Sequence, residues 1–250
     1  MVAHVNRKRM DPVRVRRKVK TLKINGLDVS GTDEQTILEV ARENDISIPT
    51  LCTLEGLSNI GACRICLVEV EGARRLLPAC STLIDEGMVV RTKTPEIIEY
   101  RRKLVELLFA EKNHYCAVCV SNGHCELQTL AQDLGVDHIR YPYVYPDLDV
   151  DATHKDFGAD HNRCVLCQRC VRVCDELEGA HTWDMMDRGE DTRVVTDMHQ
   201  NWGDSETCTE CGKCVQVCPT GALFKKGSAV GELEKETEFL PYLKVMREEQ

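Results

Sequence analysis

Cys164-x2-Cys167-x2-Cys170-x3-Cys174 returns, after 33 intervening residues, as Cys208-x2-Cys211-x2-Cys214-x3-Cys218, which Pro219 follows. Three thiols at two-residue intervals wrap a tight loop around one iron–sulfur cube, so a single stretch supplies three of its irons. The fourth thiol lies a helical turn further on and faces the cube of the other run. The spacing therefore predicts one [4Fe–4S] set of Cys164, Cys167, Cys170 and Cys218, and a second of Cys174, Cys208, Cys211 and Cys214. Asp175 stands in the first run where Pro219 stands in the second, a small break in the repeat. Zinc is the competing reading, but zinc ribbons usually space their cysteines as two separated pairs.

Cys52-x10-Cys63-x2-Cys66-x13-Cys80 departs from the plant-type C-x4-C-x2-C spacing. Gly61-Ala62-Cys63-Arg64-Ile65-Cys66 nevertheless places small residues where backbone amides must approach inorganic sulfide. Four thiolates here fit a [2Fe–2S] centre, with a buried-thiol or zinc site as the alternative. Cys116-x2-Cys119-x5-Cys125 offers only three thiols, and a cube needs a fourth ligand. His114, two positions before Cys116, and His124, beside Cys125, compete for that role. A neutral imidazole in place of a thiolate raises a cluster's potential, and its ligation weakens in acid.

The elements that must carry these residues can be read from pattern. Thr21-Leu22-Lys23-Ile24 and Asp28-Val29-Ser30 flank Asn25-Gly26, a hairpin signal. Thr32 and Gln35 read as a capping box opening a helix with Ile37, Leu38 and Ala41 on one face, ended by Pro49. Residues 65–70 and 88–91 complete the strands of a small β-grasp sheet over residues 21–94. Pro95, after Thr94, starts a long helix with Ile97, Ile98, Leu104, Val105 and Leu108 apolar. A second helix over about 126–134 stops at Gly135, completing a helical cluster-binding unit over 95–150. Tyr141-Pro142-Tyr143-Val144-Tyr145-Pro146 and the acidic residues 147–151 form an ordered linker. The paired runs occupy 151–231. The charged segment 232–250 is expected to be partly helical and to dock, with Leu240, Leu243 and Val245 available to pack.

Composition excludes several classes. The count of 15 cysteines is odd, and a reducing compartment does not sustain a full disulfide framework. No apolar run approaches the ~18–20 residues of a membrane span, and no apolar h-region follows the N-terminus, so a cytoplasmic chain is expected. Aromatic residues make up only 5%, so metal ligation is expected to supplement the cores. The net charge is −9, yet residues 1–20 hold Arg7, Lys8, Arg9, Arg14, Arg16, Arg17, Lys18 and Lys20 against Asp11 alone. That stretch reads as a basic flexible tail, able to meet an acidic partner surface or anionic lipid. Nucleic acid is excluded as a partner by the acidic body.

Taken in order, the Cys52 set, the histidine-and-three-cysteine segment ending Cys125-Glu126-Leu127-Gln128, and the paired runs resemble one family over about residues 21–231. It comprises the N-terminal part of the large iron–sulfur subunit of NADH dehydrogenase, the accessory domains of iron-only hydrogenases, and the diaphorase small (gamma) subunit of NAD-reducing bidirectional nickel–iron hydrogenases. Arg163-Cys164 through Cys174-Asp175, Glu178-Gly179-Ala180-His181-Thr182-Trp183-Asp184-Met185 and Gly227-Ser228-Ala229-Val230-Gly231 are most similar to the last of these. In the wider family three residues separate the histidine from its first cysteine; here only Tyr115 separates His114 from Cys116. Asn113-His114 still resembles the gamma subunit, and the resemblance gives His114 the ligand role. Fifteen cysteines and His114 then supply the sixteen ligands of one [2Fe–2S] and three [4Fe–4S] clusters.

The resemblance implies an α+β chain of β-grasp [2Fe–2S], helical [4Fe–4S] and two-cluster ferredoxin units. It implies an electron-transfer role between a flavin- and NAD-binding diaphorase subunit and a [NiFe] hydrogenase module, in interconverting H2 and NAD(P)+ with NAD(P)H. Expected partners are that flavin subunit, with FMN and NAD(P), a small thioredoxin-like [2Fe–2S] subunit, and the hydrogenase small and large subunits. No Gly-x-Gly-x-x-Gly fingerprint or phosphate loop is present, and about thirty residues follow Cys218, so no substrate-converting site is expected in this chain. The alternatives are the equivalent relay subunit of a formate dehydrogenase or electron-bifurcating hydrogenase, and a zinc-organised scaffold without redox activity.

Overall fold

A computed structural model describes residues 17–248. The expected basic tail lies outside the described residues up to position 16. Val19 and Lys20, read as the end of that tail, instead open the first strand, because their backbone pairs with Thr32 and Gly31. Lys20 Nζ also reaches the Ile84 carbonyl and Asp85.

The hairpin forms where Asn25-Gly26 places it. Strands β1 (Val19–Ile24) and β2 (Leu27–Thr32) meet through a turn with φ of 53° at Asn25 and 87° at Gly26. Two successive left-handed residues match the twist of the flanking strands. Helix α1 (Ile37–Glu43) starts four residues later than the expected capping box would put it. Thr36 caps it, with Glu39 completing the box. Thr32 is the last residue of β2, and the Gln35 side chain accepts from its N–H, so that pair closes the turn before the helix. Pro49 is not what ends α1. Asn44 caps it through the Ala41 and Arg42 carbonyls, Asp45 turns left-handed, and the chain runs on extended with Ile46 and Ile48 buried.

Strands β3 (Leu67–Val70), β4 (Leu77–Pro78) and β5 (Val89–Arg91) complete a mixed five-stranded sheet of order β2-β1-β5-β3-β4, in which only β1 and β5 run parallel. Helix α2 (Pro95–Glu111), capped by Thr94, is bolted to this sheet by a buried cation. Arg101 donates to the carbonyls of Ile65, Thr92 and Leu67, and burial holds its guanidinium down at about 10. Helix α3 (Glu126–Asp133) packs on α2 and ends at left-handed Gly135.

Strands β6 (Val150–Asp151) and β7 (Phe157–Asp160) open the last region, β6 straddling the boundary expected at 150. Helix α4 (Arg169–Arg172) widens into a π-helical turn over Val173–Glu178. Then come the hairpin β8 (Trp183–Met186) with β9 (Arg193–Thr196), helix α5 (Lys213–Val217), and β10 (Leu223–Lys225), which pairs with β7. The end of the chain packs on the chain itself. In α6 (Leu240–Glu248) Leu240 is fully buried over Gly56, where any Cβ would meet the Leu240 backbone. Val245, in contrast, stays exposed.

Three apolar cores result, and each contains sulfur. The first, between sheet and α1, includes Cys66 and Cys80. The second, in the last region, includes Cys170, Cys174, Cys214 and Cys218. The third joins them: Cys52, Cys125 and Cys167 lie among Leu51, Ile65, Val105, Leu127 and Val165. Among the described residues no helix is long and apolar enough to cross a membrane.

One ion pair gives this frame a pH dependence. Arg140 donates to the buried Glu106 carboxylate of α2 and holds it below the usual glutamate range. Its contribution is full above the unfolded value, about pH 4.3, and is lost as pH falls through the lower folded value. Glu106→Gln should therefore cost on the order of 1 kcal/mol at pH 7, shrinking towards zero below pH 4, as read by urea melts across pH.

Candidate metal centres

The four thiols at 52, 63, 66 and 80 lie in two touching pairs. The Cys52 N–H donates to Cys63 Sγ at 3.3 Å. A proton shared between Cys63 and Cys52 holds Cys52 well below, and Cys63 well above, the ordinary thiol range; Cys66 and Cys80 divide in the same way, with Cys80 the lower. Left-handed Gly61 and Arg64 (φ 61° and 59°) shape the loop that carries Cys63 and Cys66. A Cβ on Gly61 would stand against Ser81 and the Cys80 sulfur.

The second group surrounds a cavity lined by His114, Cys116, Cys119 and Cys125. His114 follows the end of α2, where Asn113 ties the turn to Pro146 and Asn162. Burial holds its imidazole down at about 4, so the ring is neutral near pH 7, and it hydrogen-bonds the Leu108 backbone. Its Nε2 is buried with no hydrogen-bond partner. A neutral imidazole with one nitrogen fixed and the other orphaned beside three thiols is the form that ligates metal. His124 is exposed and does not line this cavity. Cys125 caps α3, whose Leu127 and Gln128 amides favour its thiolate while burial pushes the thiol up to about 11.

Two further cavities carry the paired runs. One is lined by Cys164, Cys167, Cys170 and Cys218, the other by Cys174, Cys208, Cys211 and Cys214. Each loop turns on two left-handed residues at matching positions, Leu166 and Gln168 in the first, Glu210 and Gly212 in the second. Such turns aim successive backbone N–H groups inward. The runs diverge after their fourth cysteine. Pro219 follows the end of α5 at Cys218, while Asp175 lets the helix continue to left-handed Gly179. Burial pushes Cys164 up to about 11, Cys167 to about 12, and Cys170 and Cys214 higher than their ordinary range. Such thiols keep their protons until a cation displaces them. Cys211 alone among the fifteen is exposed.

Several residues at these sites carry no spacing signal. Trp202 Nε1 donates to Cys208 Sγ at 3.3 Å, and Trp183 lines both run cavities. Thr220 lines the Cys164 and His114 cavities alike. Arg169, 2% exposed, forks onto Glu126, the neighbour of Cys125, and also reaches the Thr53 carbonyl. Among the described residues no group of three or more His, Cys, Asp or Glu is placed to hold a single metal ion.

Comparison with known proteins gives three consecutive family matches. A 2Fe-2S iron-sulfur cluster binding domain covers residues 17–95, the iron-sulfur binding region of NADH-ubiquinone oxidoreductase-G covers 101–140, and the ferredoxin-like domain of NADH-quinone oxidoreductase subunit 3 covers 157–224. The gamma subunit of the NAD-reducing hydrogenase HoxS from Cupriavidus necator is 32% identical over 204 residues, 81% of this chain and 86% of that one. This chain belongs to the hydrogenase gamma-subunit family. A chain of a crystal structure of NAD+-reducing [NiFe]-hydrogenase in the H2-reduced state, 33% identical, superposes with a TM-score of 0.79 over 84% of this chain and 88% of its own. The NADP-reducing hydrogenase subunit HndD of Solidesulfovibrio fructosivorans is 38% identical over 214 residues; the gamma-type chain spans 82% of its own length there but only 36% of HndD.

Gly221 supplies a test of how tightly the His114 cavity is built. Any Cβ there would collide with the Cys119 sulfur and crowd Ser121. Gly221→Ala should destabilise the chain by about 1–3 kcal/mol, seen as a lower urea midpoint at unchanged slope.

Proposed function

We propose that this chain is the electron-relay subunit of an NAD(P)-reducing hydrogenase. In this reading the Cys52, Cys63, Cys66 and Cys80 thiolates hold a [2Fe–2S] cluster on a β-grasp frame over residues 21–94. Three [4Fe–4S] clusters are held by His114 with Cys116, Cys119 and Cys125; by Cys164, Cys167, Cys170 and Cys218; and by Cys174 with Cys208, Cys211 and Cys214. The observation that carries the reading is the grouping of these side chains into four separate sets, with the orphaned His114 Nε2 beside the only set of three thiols.

Bound clusters supply one-electron transfer, whose potential the protein tunes through ligand identity, hydrogen bonds to sulfur and burial. The chain's own residues do the rest. The helix α3 amides and the left-handed loops direct N–H groups at sulfur, Trp202 donates to Cys208, and the apolar cores keep water from the ligands. Trp183 and Thr220 each stand in the wall between two adjacent cavities, so three of the sites form a contiguous series. That arrangement suits a relay better than a set of independent structural staples. The names of the HoxS gamma subunit and of HndD point to H2 and NAD(P) as the couples at either end. Partners on this reading are a flavin- and NAD-binding diaphorase subunit, a thioredoxin-like [2Fe–2S] subunit, and the small and large [NiFe] hydrogenase subunits, assembled in the cytoplasm.

Anaerobically purified protein should be brown, with about 14 irons per chain and no stoichiometric zinc. A colourless zinc protein would sink the proposal. His114→Ala should alter one [4Fe–4S] signal in electron paramagnetic resonance and leave the others in place, whereas His124→Ala should alter none. Affinity capture from native extract should bring down a flavoprotein together with a nickel–iron subunit; a formate-oxidising partner instead would reassign the parent complex.

A further inference from the structure

Arg172 is 5% exposed, yet no carboxylate among the described residues forms an ion pair with it. Its guanidinium donates instead to backbone carbonyls. Nη2 reaches Cys52 at 2.6 Å and Cys167 at 3.1 Å, Nη1 reaches Ser58, and Nε reaches Gln168 at 3.2 Å. Two of these acceptors belong to cysteines of different sets. The grip on the first unit is completed by Glu176, one turn on, whose carboxylate accepts from the Ser58 N–H and hydroxyl. One turn of helix thus clasps the loop at 52–58 from both sides.

The repeat shows that a cysteine run does not need this residue. Aligning Cys208, Cys211 and Cys214 on Cys164, Cys167 and Cys170 places Lys213 at Arg169 and Gln216 at Arg172. Gln216 is neutral, and its Oε1 accepts from the Glu236 N–H. Arg169 is likewise different, since Glu126 neutralises it. Arg172 is therefore a buried cation hydrogen-bonded only to carbonyls, between two thiol sets, with the Glu176 carboxylate attracting it from one turn away. Removing a charge from water is costly, and negative charge nearby, that of Glu176 included, offsets the cost. Thiolate ligation and added electrons on either side supply that charge.

We propose that Arg172 is a positioning residue shared by the Cys52 and Cys164 sites, which fixes the ligand backbone of both and favours the reduced state at both through its charge. This rests on the relay reading above. The test is an anaerobic redox titration of the full chain followed by electron paramagnetic resonance, with signals assigned through single-ligand variants such as His114→Ala. In Arg172→Gln the midpoints of the Cys52 and Cys164 sites should both move to lower potential, while the Cys174 site keeps its value. Arg172→Lys, which keeps the charge without the fork, should restore both midpoints most of the way. If Arg172→Gln fails to load, iron should be missing from those two sites alone and return in Arg172→Lys. Unmoved midpoints, a shift at only one of the pair, an equal shift at all sites, or iron lost from all four sites in both variants overturns the proposal. A wild-type chain without cluster signals would instead refute the relay reading itself.

Discussion

Sulfur inside a small apolar core has to serve as packing and as ligand at once, and that double duty governs the rest of the chain. With aromatic residues at 5%, the cores are closed by thiols standing among Val, Ile and Leu. Burial raises Cys125, Cys164, Cys167, Cys170 and Cys214 above their ordinary range, which favours the neutral thiol in a low-dielectric interior. The same burial makes each site a place where a cation must displace protons before it can bind. Folding and metal loading are thereby linked through the same side chains.

The interior charges follow from this arrangement. Arg101 and Arg169 are buried where they donate to backbone carbonyls of other elements, Arg101 to Ile65, Leu67 and Thr92 and Arg169 to Thr53. Where the cysteine-bearing loops lie outside helix and sheet, as at Cys52, Thr53 and Cys167, their backbone oxygens need donors from elsewhere. A long side chain with five N–H groups meets that need with the least added volume. The chain uses arginine as mortar between cores too small to be held by apolar contact alone.

How much of this was legible depended on whether a feature was local. The Asn25-Gly26 hairpin, the Thr94-Pro95 start of α2 and the Gly135 stop of α3 follow from backbone rules acting over a few residues, and the structure has them there. The spacing of the two runs groups the same side chains that line one cavity each. The start of α1 was misread since both Thr32 with Gln35 and Thr36 with Glu39 satisfy the same box pattern, and only the strand partner of Thr32 decides between them. Trp183, Thr220 and Arg172 act across long sequence separations, so nothing in their own neighbourhood announces them. The histidine choice, open by spacing, turns on burial: Nε2 of His114 is enclosed while His124 faces solvent.

The crossing of the two runs has a consequence for biosynthesis. The cavity that contains Cys164, Cys167 and Cys170 takes its fourth thiol from Cys218, and the one that contains Cys208, Cys211 and Cys214 takes Cys174. During translation the second of these cavities lacks a thiol until residue 214 has left the ribosome and the first until residue 218 has, whereas the Cys52 set is complete once Cys80 has emerged. The chain thus carries its own timetable: one early set of thiols at the front, and two at the back that are completed within four residues of each other.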